Sequence, residues 1–94
     1  MTEYLFHWRP SGATRTMSPS LTLQADSHLH GAALALRQFL ERGCDIRSPL
    51  AHVDITESNG VKQTLLVEEV VEWLNEPQQA EFIHREGLAV LLPK

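Results

Sequence analysis

His52-Val53-Asp54-Ile55-Thr56-Glu57-Ser58-Asn59-Gly60-Val61-Lys62-Gln63-Thr64-Leu65-Leu66 is the stretch that decides the fold. Val53 and Ile55 alternate with His52, Asp54 and Thr56, the period of a strand with one buried face. Asn59-Gly60 then interrupts the alternation, and Asn-Gly between two extended segments signals a tight hairpin. The returning strand runs from Val61 to about Leu66. The rest of the chain has to supply further strands and a cover for the apolar face.

Upstream, Tyr4-Leu5-Phe6-His7-Trp8-Arg9 alternates in the same way, with Tyr4, Phe6 and Trp8 on one side and Leu5, His7 and Arg9 on the other. Pro10-Ser11-Gly12 closes that strand with turn residues. A second extended stretch spans about Thr14 to Ala25, broken at Ser18-Pro19, and a proline there points to an edge strand or a bulge. A helix follows, capped by Asp26 or Ser27. Its apolar face is Leu29, Ala32, Ala33, Leu36 and Leu40 with Phe39 beside it, and Gly43 stands where a left-handed end belongs. Gly31 lowers helix propensity and lets the helix approach the sheet closely. Cys44 to Leu50, with Ser48-Pro49, reads as a loop. The pair His28 and His30 opens the helix two residues apart, on different faces, and reads as surface.

After Leu66 the period changes. Val67, Val70, Val71 and Leu74 are spaced for a short helix with Glu68 and Glu69 at its positive end. Asn75-Glu76-Pro77 breaks it, and Pro77 starts a second helix carrying Ala80, Phe82 and Ile83, which Gly87 stops. Leu88-Ala89-Val90-Leu91-Leu92 admits a short terminal strand before Pro93. The expected fold is α+β. An antiparallel sheet in β-β-α-β-β order over residues 1–66 carries one packed helix, and residues 67–94 form a helical extension of the same single domain, 1–94.

The opening strand, with its aromatic-x-Phe-His-x-Arg pattern, and the hairpin Val53-Asp54-Ile55-Thr56-Glu57-Ser58-Asn59-Gly60 resemble a family of small bacterial domains of unknown function. The resemblance covers roughly residues 4 to 66 and implies the β-β-α-β-β order. It implies no activity and no catalytic residues. Between the first two strands that family carries an acidic, glycine-containing stretch, whereas this chain has Thr16-Met17-Ser18-Pro19 and adds a helical C-terminus.

Ninety-four residues with 43% hydrophobic side chains suit one globular domain. A net charge of −4, with eight basic residues scattered along the chain, argues against nucleic acid and against an anionic membrane surface. The longest apolar run, Leu88 to Leu92, is far shorter than the roughly 20 residues a membrane-spanning helix needs. A single cysteine and no signal sequence point to the cytoplasm.

Five histidines raise the question of a metal. If Phe6 and Ile55 face the core, His7, His52 and Asp54 share the outer side of the sheet, a set of donors able to hold zinc. No His-Glu-x-x-His or paired Cys-x-x-Cys spacing supports them, and no cofactor is expected. Cys44 follows a helix C-terminus, which disfavours a thiolate nucleophile. Glu68, Glu69 and Glu72 read as a solvated helix face. The chain therefore reads as a non-catalytic protein-interaction or regulatory module rather than an enzyme. Its partner is another protein or a second copy, and Val70, Trp73 and Phe82 are the candidate partner-binding residues. The alternative is a small metal-binding protein or enzyme built on His7, His52 and Asp54.

Overall fold

Residues 2–9, 20–44 and 51–92 are the ones described by the computed structural model. The turn expected at Pro10-Ser11-Gly12, the stretch from Thr14 to Pro19, the loop residues Asp45 to Leu50, and Pro93 lie outside them.

Alternation builds the sheet. β1 (Thr2–Arg9) pairs antiparallel with β2 (Ser20–Ala25) on one side and with β3 (His52–Glu57) on the other, and β4 (Lys62–Leu66) follows β3 across the hairpin. The spatial order is β2-β1-β3-β4, so β1 is central and β2 lies at an edge, as a proline before it leads one to expect. In register, Phe6 faces Leu21 and Ile55, and Trp8 faces Val53. The hairpin closes through Glu57 N–H to the Val61 carbonyl at 2.8 Å and Gly60 N–H to the Glu57 carbonyl at 2.9 Å, with Gly60 left-handed at φ 91°.

α1 (His28–Glu41) lies across the inner face. Ser27 is its N-cap, its hydroxyl accepting from the His30 N–H, and Gly43 turns the chain away at φ 88°. Phe6, Leu36, Phe39, Val53 and Ile55 are fully buried between the two layers. Burying a side chain of this size contributes roughly 1.5–3 kcal/mol. Trp8 meets Phe39 with ring centroids 6.0 Å apart.

α2 (Val67–Leu74) and α3 (Ala80–Glu86) form where expected, joined by a 3-10 turn at Pro77–Gln79. The α2 entry is fixed twice: Val67 N–H donates to the Ala51 carbonyl at 3.0 Å, and Leu66 N–H to Glu69 Oε2 at 3.1 Å. Gly87 ends α3 at φ 67°. One element departs from expectation. Leu88–Leu91 forms a 3-10 helix, not a terminal strand. Leu88 and Leu91 are buried while Ala89 and Val90 are exposed. A spacing of three is the 3-10 period, whereas a strand would have buried alternate residues. The segment closes over the helical layer, against α1 and α3.

Candidate functional site

Among the described residues α1 covers the inner side with α2 and α3 packed against it, and the outer face of the sheet is the surface on which the sequence placed its donors. Register lays it out in rows. Thr22, Leu5, Thr56 and Lys62 form one row from β2 to β4; Ser20, His7, Asp54 and Thr64 form the next; Arg9, His52 and Leu66 form the third. An open, shallow depression lies among Leu5, His7, Arg9, Thr56, Lys62 and Thr64. Glu3, Arg9, Asp54 and Lys62 balance in charge. Of the twelve acidic residues, five (Glu68, Glu69, Glu72, Glu81 and Glu86) lie instead on α2 and α3, and Glu76 lies in the connection between them.

Asp54 is the organising residue. Its Oδ2 accepts from Arg9 Nε at 2.8 Å and its Oδ1 from the Thr64 hydroxyl at 2.8 Å, linking β1, β3 and β4. Partial burial pushes the carboxyl up. The hydrogen bonds from Arg9 and Thr64, with the charges of Arg9 and His52, outweigh this and leave it below the ordinary aspartate value. His7, His52 and Asp54 do share this face, with His7 directly opposite Asp54. Both Asp54 oxygens are nevertheless engaged by Arg9 and Thr64. Among the described residues no three His, Cys, Asp or Glu side chains come together as a metal-binding group. Sequence reasoning put Arg9 on this face but gave it no role. The pairing depends on β1 lying beside β3, which periodicity alone does not encode.

A second cluster sits where α1 meets the C-terminal helices. The His30 ring packs edge-on against Trp73 at 4.9 Å and Phe82 at 4.7 Å between centroids, and its Nδ1 shares a hydrogen bond with the Ser27 hydroxyl at 2.7 Å. The expectation that His30 is a surface residue is therefore corrected: spacing within one helix cannot show what a neighbouring helix lays over it. Of the candidate partner-binding residues, Val70 and Phe82 are buried within the chain and Trp73 is half-buried. Arg85 stacks over the Phe82 ring at 5.6 Å. Cys44 is half-buried, and desolvation pushes its thiol up despite the opposing charge of Arg42.

Among the described residues no helix is long and apolar enough to cross a membrane. No known family model, curated protein or solved structure matches the chain.

Proposed function

We propose that the chain is a non-catalytic protein-interaction module that meets its partner with the outer face of the sheet. The observation that carries this reading is the division of the molecule into two sides. The apolar stripes of α1, α2 and α3 are spent on one another and on the inner sheet face. On the outer face Leu5 stands in the central strand 42% exposed, ringed by threonine, histidine and balanced charges. A small apolar centre with a polar rim is the usual composition of a protein contact. The Arg9–Asp54–Thr64 bonds hold three strands in one fixed surface, which lowers the entropy a partner must overcome on docking.

The test is capture of the tagged full chain from a lysate of its source cell, with the Leu5→Glu variant in parallel. Leu5 points to solvent between Thr22 and Thr56, so the variant folds. The reading expects one stoichiometric protein, or a second copy of the chain, held by the wild type and released by the variant. Equal retention by both chains contradicts it, as does a monomer that retains nothing.

A further inference from the structure

We infer that Asn59 is a site of spontaneous covalent modification, converting through a cyclic imide to aspartate and isoaspartate at the tip of the β3–β4 hairpin. Three observations converge there. Ser58, Asn59 and Gly60 are all exposed, so water reaches the turn. Gly60 has no side chain, and a β-carbon built on it would meet nothing within 4 Å, so no side chain of its own or neighbouring group crowds that position. Val61 N–H donates to Asn59 Oδ1 at 3.1 Å, which curls the side chain over the Gly60 peptide and polarises the amide carbonyl toward attack. Opposing these, Gly60 N–H is held on the Glu57 carbonyl at 2.9 Å, so the nitrogen is released only when the tip opens. Loop tips are among the segments that open locally at low free energy.

The chemistry balances without an added reagent other than water. The Gly60 nitrogen attacks Asn59 Cγ, forming a new C–N bond. The Cγ–Nδ2 bond breaks, and Nδ2 leaves as ammonia with the proton that the Gly60 nitrogen gives up. Water then opens the ring at either carbonyl. Opening at Cγ yields aspartate; opening at the main-chain carbonyl yields isoaspartate, with the backbone running through the former side chain. The first product places a carboxylate where Asn59 Oδ1 accepts from the Val61 N–H. The second adds a methylene to the backbone between Glu57 and Val61, across which the Glu57 N–H to Val61 carbonyl bond closes the loop. β4 follows directly and carries Lys62 and Thr64 on the outer face. The inference does not depend on what that face binds.

The sequence supplies its own control, because its other asparagine, Asn75, precedes Glu76 and ends α2 with its N–H on the Val71 carbonyl at 3.1 Å. The folded full chain is incubated at mildly alkaline pH, digested, and mapped by mass spectrometry with enzymatic methylation of isoaspartyl groups. The expected result is conversion at Asn59 with Asn75 intact, and none at position 59 in Asn59→Gln. An intact Asn59 in the folded chain, over the interval in which the urea-unfolded chain converts, would overturn the inference. So would equal conversion at Asn75.

Discussion

Gly31 of α1 lies against the ring of Phe6 in β1: a β-carbon at position 31 would meet Phe6 Cζ at 2.5 Å and the Ala25 β-carbon at 3.3 Å. The helix sits as close to the sheet as it does because that side chain is missing. Phe6 is fully buried and cannot swing away without disturbing Tyr4, whose ring centroid is 5.9 Å from its own. Gly31→Ala adds helix propensity of about 1 kcal/mol but overpacks the core by roughly 1–3 kcal/mol, so a net loss is expected. Urea unfolding checks this, with a lower midpoint and an unchanged slope as the expected result.

Asp54 gives the protein a defined acid response. Its folded pKa lies below its unfolded value, so its contribution to stability is complete above the unfolded value of about 4 and is lost as pH falls through the lower folded value. The Arg9–Asp54 pair is about half exposed, and solvent screening limits its worth to at most about 1 kcal/mol. Asp54→Asn is therefore expected to be slightly less stable at neutral pH and to lose less stability on acidification. Denaturant midpoints measured from pH 7 downward separate the two curves.

Ser27 and His30 act as one unit at the start of α1. Ser27→Ala removes the cap, at about 1 kcal/mol, and also the partner of the His30 ring. His30→Ala removes two edge contacts of roughly 0.5–1.5 kcal/mol each. Because the hydroxyl orients the ring, the double variant is expected to lose less than the sum of the singles. The same variants should red-shift the emission of half-buried Trp73 while Trp8 stays in the core.

Cys44 offers a simpler check. With its thiol pushed up by burial, it is expected to alkylate more slowly at neutral pH than a free cysteine, and to reach the free rate once the chain is unfolded.

Much of this architecture was legible locally. Alternation assigned the inward and outward residues of β1 and β3. Gly43, Pro77 and Gly87 marked helix boundaries, and Gly31 announced a close approach. What periodicity could not supply was adjacency. Arg9 and Asp54 meet across 45 positions because β1 is inserted between β2 and β3, an order set by packing rather than by any one segment. His30 is half-buried beneath Trp73 of α2 and Phe82 of α3, a contact invisible to a reading of α1 alone. Leu88–Leu92 admits a strand because five apolar residues in a row carry no period of their own. Their burial at every third position was decided by the helical layer they close over.

The measurement that tests the outer face most directly is methyl NMR of the full chain, titrated with its captured partner or followed with rising protein concentration. The account predicts shifts at the methyl groups of Leu5, Thr22, Thr56 and Thr64, with Val71 and Val90 on the helical side unchanged. Shifts at Val71 and Val90 with a silent outer face would contradict it and would move the contact to the C-terminal helices.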